Sequence, residues 1–170
     1  MHYLRVFEGK FDDWFSGQSD CDALLFHCFG IDRQALDTDI VKVSVFECST
    51  DVEEAEAAAA HRLTRHSSIL AYCGARIFQA DVSAWAIDVS QTDGTTGVKC
   101  ADDRHRNLQG SKSAFRDLVR SLLEKVMSGE DRVRRIHKSQ MRHQVERFAQ
   151  FGGPPQIDGQ ALARCQKALS

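Results

Sequence analysis

No stretch of the sequence approaches the roughly 18 consecutive apolar residues of a membrane-spanning helix, so none is expected. The opening residues Met1-His2-Tyr3-Leu4-Arg5-Val6-Phe7 also lack the apolar run of about 7 to 15 residues and the small-residue cleavage site of a secretory signal. Retention in the cytosol, with no membrane partner, is the expectation. C-x-x-C spacing is missing, because the six cysteines stand apart at positions 21, 28, 48, 73, 100 and 165. In a reducing compartment they should be buried thiols rather than disulfides or zinc ligands. The G-x-G-x-x-G and G-x-x-x-x-G-K phosphate loops, the G-x-S-x-G elbow and the H-E-x-x-H helix are absent too. His61 and His66 are five apart rather than four, so they would not share a helix face. Neither a cofactor nor a metal is expected.

The chain has 170 residues, 42% hydrophobic and 27% charged, which is too apolar for intrinsic disorder and enough for a packed core in one domain spanning 1–170. There is no internal repeat and no low-complexity tract. Charge is unevenly spread: residues 1–100 hold 8 Lys and Arg against 16 Asp and Glu, and residues 101–170 hold 14 against 8. Either the acidic and basic parts neutralise each other internally, or the basic part meets an acidic partner.

Alternation predicts strands over residues 3–7, 40–48, 69–78 and 82–89. The turn Gln91-Thr92-Asp93-Gly94 predicts a hairpin into a further strand over 95–100. Residues 20–29, after possible caps at Ser19 and Asp20 and before Gly30, suit a short buried helix. Thr50 and Glu53 form a capping-box pattern that starts a helix at Asp51, with Val52, Ala55, Ala59 and Leu63 as its inner stripe. A polar loop is expected over 102–110. A basic helical part follows over 111–151, as a hairpin of two helices broken at Gly129, and a short docking helix over 158–169 ends the chain. The expected class is therefore α+β, a mixed sheet of about five strands containing one crossover unit, with helices packed on it.

Three groups of residues could carry function. Arg132, Arg134, Arg135, Lys138, Arg142 and Arg147 fall within 16 residues, a density suited to phosphate-backbone contact, and the first five are the candidate nucleic-acid set. Within it, Arg132 and His137 stand in an Arg-x-x-x-x-His spacing that resembles the catalytic motif of the HEPN ribonucleases. That resemblance implies metal-independent RNA cleavage by the pair within an all-helical bundle. It covers six residues, and Val133 stands where that family places a polar one. His105, oriented by Asp103, could act as a general base just past a strand end, with Cys73 as nucleophile if the fold brings it close. The acid-rich stretch from Asp37 to Glu56 is a candidate protein-contact surface. The leading expectation is a small intracellular binding or regulatory module acting through protein contacts, such as an inhibitor or immunity-type partner. A nucleic-acid binder using residues 132–147 and a hydrolase or nuclease centred on 102–106 are the alternatives.

Overall fold

The structure, a computed structural model, describes residues 1–9, 11–15 and 20–170. Its strands are β1 (His2–Phe7), β2 (Ile40–Cys48), β3 (Tyr72–Ile77), β4 (Asp88–Gln91), β5 (His105–Ser111) and β6 (Val133–Ile136). They form one sheet in the order β4-β5-β2-β1-β3-β6, and every neighbouring pair is antiparallel. The helices are α1 (Cys21–Leu24), which runs on as a π-helical turn at Leu25–Phe29, then α2 (Asp51–Leu63), α3 (Gln79–Ala84), α4 (Lys99–Asp102), α5 (Lys112–Met127), α6 (Lys138–Ala149) and α7 (Gly159–Leu169). The α+β class is as expected, but the sheet has six strands among the described residues and is antiparallel rather than mixed, because β1 lies between the two strands that the crossover joins.

β2 and β3 both run antiparallel to β1, so they are parallel to each other, and α2 carries the chain from one to the other across β1. This is the expected crossover, split by the first strand. β1 lies near the middle of the sheet and is apolar on both faces. Tyr3 and Phe7 join one core with Val43, Val45, Ala75 and Ile77, covered by α1 and α5, while Leu4 and Val6 join the other with Phe46, covered by α2, α6 and α7. In α5, Phe115, Leu118, Val119 and Leu122 are fully buried. Each contributes about 1.5–3 kcal/mol of transfer free energy, which fixes the helix on its face.

The helix start at Asp51 is as expected. Thr50 Oγ1 accepts from the Glu53 backbone at 3.2 Å, and the Glu53 carboxylate accepts from the backbone N–H of Ser49 at 2.6 Å and of Thr50 at 3.2 Å. The inner stripe is broader than expected. Ala57, Ala58, Ala59 and Ala60 are all fully buried, whereas Val52 is 57% exposed. A helix enclosed by the sheet, α6 and α7 needs small side chains round most of its circumference. Glu54 and Glu56, 0% and 3% exposed, are enclosed with them, and each is met by cations. Glu54 accepts from His2 at 2.7 Å, from Arg76 Nε at 2.6 Å and from Arg134 at 3.1 Å. Glu56 accepts from the Cys100 thiol at 2.9 Å and is paired with Arg104 and Arg147.

Four element expectations are corrected. Residues 82–89 do not form one strand, because Asp81 accepts from the Phe78 backbone N–H at 2.8 Å and starts α3. Residues 95–100 form a loop leading into α4 instead of a hairpin strand. Asp102 accepts from Thr96 N at 2.8 Å, Thr96 Oγ1 at 2.6 Å and Gly97 N at 3.2 Å, winding the chain around its carboxylate. The polar segment 102–110 holds the end of α4 and most of β5, which pairs with β2 on one side and β4 on the other. Backbone pairing along both edges overrides its low strand propensity. The expected second helix of the hairpin is interrupted by β6, whose Val133 faces one core and Ile136 the other. As a result α5 and α6 lie on opposite faces of the sheet. Of the two caps expected before residues 20–29, Ser19 lies outside the described residues, and Asp20 caps α1 through the Asp22 N–H at 2.9 Å. The docking helix is present as α7, with Ala161 and Cys165 buried.

The acidic and basic parts face each other. Besides the arginines on Glu54 and Glu56, Lys125 and Arg132 meet Asp81, Arg106 meets Glu47 at 2.8 Å, and Arg116 bridges Asp22 and Asp37 at 2.9 and 2.8 Å. Removing one partner of a buried pair strands the other, so Glu54→Ala is expected to lose about 3 kcal/mol or more, roughly 10 °C in Tm. Arg142→Ala, which breaks only an exposed pair with Glu146, should stay within about 0.5 kcal/mol by the same thermal denaturation. Burial raises the Glu54 and Glu56 carboxyls, yet the groups donating to them hold both below the usual range. Their stabilisation is therefore complete above the unfolded value of about 4.3 and declines as pH falls further, a loss Glu54→Ala should show in smaller measure.

Candidate functional site

Tyr3, Arg5 and Phe7 share one face of β1, so an arginine occupies a position where alternation calls for an apolar side chain. The structure parts the sheet there. β1 and β2 pair from His2↔Cys48 to Leu4↔Phe46, whereas β1 and β3 stay paired to Phe7↔Cys73. Arg5 fills the opening, its Nε donating to the Cys28 carbonyl at 2.8 Å and its Nη1 to the Ser44 carbonyl at 2.9 Å. The guanidinium thereby takes the role of a ladder N–H. Its Nη2 lies beside Gly30, where a Cβ would stand 3.5 Å away, and meets no acceptor among the described residues. Gly30, at φ 72°, closes the π-helical turn in the left-handed region that glycine adopts freely.

Arg5 forms one wall of a cavity of about 220 Å³, whose other walls are Glu8 past the end of β1, His27 and Gly30 of the turn, His61, Arg65 and His66 at the end of α2, and Tyr72 of β3. The end of α2 is held in place by Arg164 of α7, which donates to the carbonyls of Leu63 at 2.7 Å and Thr64 at 2.5 Å and so satisfies last-turn acceptors. Arg62 packs behind the cavity, 5.9 Å from the Tyr72 ring centre, donating to Ser68 Oγ at 2.7 Å and to the Glu8 carboxylate at 3.3 Å. Glu8 is thus engaged from behind. Arg65 meets no carboxylate among the described residues, and Arg5 meets only carbonyls.

Burial pulls the Arg5 guanidinium down to about 10, still charged at neutral pH. Burial, followed by the charges of Arg5, Arg65 and His105, pulls the His61 imidazole down to about 4, so its ring is neutral there. The ring stands edge-on to Phe46 at 6.4 Å and to Tyr72 at 6.3 Å. Beside Glu8, which Arg62 engages, and the rings of His27 and His66, the cavity presents two guanidinium groups, the neutral His61 imidazole and a phenol. Such a set suits an anion and disfavours a metal cation. Among the described residues no group of three His, Cys, Asp or Glu side chains is close enough to hold a metal ion.

His105, Asp103 and Cys73 are not brought together. His105 sits on β5 facing Phe46, ring centres 5.3 Å apart, with its Nδ1 buried and unpartnered. Cys73 lies on the opposite face of β3, three strands away or about 14 Å. Burial pushes its thiol up to about 11, which removes the thiolate that a nucleophile needs. Asp103 turns outward to Lys99 at 2.7 Å.

The nucleic-acid set is dispersed as well. Arg132 is taken up by Asp81 at 2.7 Å and Glu130 at 2.8 Å, and Arg134 by Asp51 and Glu54 at 2.5 and 3.1 Å. Arg135 lies over Phe11, and Lys138 and Arg142 stand exposed on α6. Residues 133–136 between Arg132 and His137 form a strand, which departs from the helical setting that the HEPN resemblance implies. In the acidic stretch from Asp37 to Glu56, Asp37, Glu47, Asp51, Glu54 and Glu56 all face cations of the same chain. The cavity residues Arg5, His27, Arg65 and Tyr72 were missed by the sequence reading. One signal for them was available, a lone charge on an otherwise apolar strand. Comparison of the chain with protein-family models, with curated proteins and with solved structures finds no match in any of the three.

The free imidazole binds its proton near 6.5 in the unfolded chain, but His61 in the fold binds it only near 4. The unfolded chain therefore holds more protons across that window, and stability should fall as pH drops through it. His61→Phe keeps a ring between Phe46 and Tyr72 with nothing to protonate, so denaturant unfolding at pH 6.5 and 4.5 should show a smaller decline for the variant. An NMR titration of the His61 ring with a midpoint near 6.5 would overturn the assignment.

Proposed function

We propose that this chain is a small binding or regulatory module acting by contact with a partner protein, in the manner of an inhibitor or immunity-type protein. The cationic cavity and its rim are where the partner sits. The observation that supports this is the use of charge. The acidic and basic parts are largely spent on each other, whereas Arg5 and Arg65 in the cavity form no ion pair among the described residues, and the Glu8 carboxylate in the lining is engaged by Arg62. Apolar surface adjoins them in the chain. Phe26, next to His27, is 43% exposed under the Arg33 guanidinium, and Leu70, four residues beyond His66, is 42% exposed. Aromatic and arginine side chains around a desolvated pocket are the usual anchors of protein interfaces, and the charge there selects an acidic partner. All six cysteines are free, which fits action in the reducing cytosol. No helix among the described residues is long and apolar enough to cross a membrane.

Affinity capture on the immobilised chain separates this reading from the nucleic-acid alternative. A protein retained after nuclease treatment, lost with Arg65→Glu and kept with Arg142→Glu, is the expected result. Retention that nuclease abolishes, together with anisotropy binding of generic DNA or RNA that weakens steeply with salt and depends on Lys138 and Arg142, would replace it with the nucleic-acid reading.

A further inference from the structure

We infer that the floor of this cavity is a binding site for a small oxyanion, a phosphate or carboxylate group, gripped by Arg5 and Arg65 beside His61 and Tyr72. The inference rests on the cavity being the recognition site, but not on the ligand being carried by a protein. A guanidinium has five N–H donors in a planar fork. In Arg5, Nε and Nη1 are committed to the Cys28 and Ser44 carbonyls, which hold the fork rigid, while Nη2 meets no acceptor among the described residues and lies beside Gly30, which lines the cavity with Arg5. A guanidinium so placed is pre-organised for an oxyanion, since its geometry is set before the ligand arrives.

Charge points the same way. Taking a cation out of water without a counter-charge is costly, and burial already draws Arg5 down toward its neutral form. Arg65 adds a second cation to the lining. The carboxylate in the lining, Glu8, is 54% exposed and shared with Arg62, so the cavity keeps a net positive field. His61, neutral at neutral pH, supplies one N–H and one lone pair, and the Tyr72 hydroxyl supplies another donor. A volume of about 220 Å³ equals roughly seven waters at about 30 Å³ each. That admits one oxyanion with a few attached heavy atoms and excludes a folded polyanion.

The test is an NMR titration of the whole chain with inorganic phosphate and, separately, with acetate. Saturable shifts confined to residues around 5, 27–30, 61–66 and 72 are expected. Arg65→Ala, which leaves the Arg5 bridge between Cys28 and Ser44 intact, should weaken binding about tenfold, the loss of one charge-assisted hydrogen bond. Lys138→Ala should leave it unchanged. A response to phosphate alone assigns a phosphorylated ligand, and an equal response to acetate assigns a carboxylate. Shifts spread along α6, no saturation with either anion, or indifference to Arg65→Ala would overturn the site. Anion binding without a captured protein would sink only the protein-partner reading, and capture without anion binding would sink only this one.

Discussion

Two carboxylates at the centre of the molecule, Glu54 and Glu56, are the constraint on which the rest of the fold depends. Both sit on α2, a helix so enclosed that its neighbouring alanines are fully buried. Ionised side chains in such a place must be met by cations with good hydrogen-bond geometry, or the desolvation cost would exceed anything that packing returns. The partners come from distant parts of the chain: the His2 ring from β1, and the guanidinium groups of Arg76 from β3, Arg104 from the turn before β5, Arg134 from β6 and Arg147 from α6. Satisfying two glutamates thus ties together the strands on both sides of β1 and the helix layer above them.

The same constraint decides what the surface has left to offer. Arg132, Arg134 and Arg147, engaged on Asp81, Glu54 and Glu56, belong to what looks in sequence like a basic patch, and Glu54 and Glu56 to what looks like an acidic one. Charges removed in this way are poorly placed to attract a partner, because their fields close on each other over a few ångströms. The parting of β1 and β2 lies outside this network. There the gap is filled by an arginine bound to carbonyl dipoles, which forms no ion pair among the described residues. The proposed site lies here, where the pairing that neutralises charge elsewhere in the fold does not reach.

Local chemistry was legible in the sequence wherever a short segment decides its own conformation. The strand at 40–48 and the capped start of α2 needed only alternation and a capping box. Asp158 at the start of α7 and Gly129 beyond α5 likewise act over three or four residues. The misread segments are those whose conformation is set from outside. β5 is polar, with Leu108 as its one fully buried apolar residue, and it is a strand because β2 and β4 supply partners along both edges. β6 continues a helical apolar spacing from 133 to 136, yet its residues face opposite cores because β3 pairs with it. The turn at residues 91–94 has hairpin chemistry, but Asp102 gathers the following backbone around its carboxylate before a second strand can form.

By itself the sequence determined the class of fold, the starts of α2 and α7, the stop of α5 and the division into an acidic and a basic part, since each follows from composition or from interactions within a few residues. Only the tertiary structure decided which charges face each other. Ion pairing depends on distances between residues far apart in the chain, such as Glu54 with Arg134 and Glu56 with Arg147. For the same reason the site could not be read in advance. His105 and Cys73 carry suitable chemistry but stand on opposite faces of the sheet. Arg5 looks like a single misplaced charge until the turn at residues 27–30 and the end of α2 close around it. A candidate site defined by what surrounds a residue takes shape only once the chain has folded.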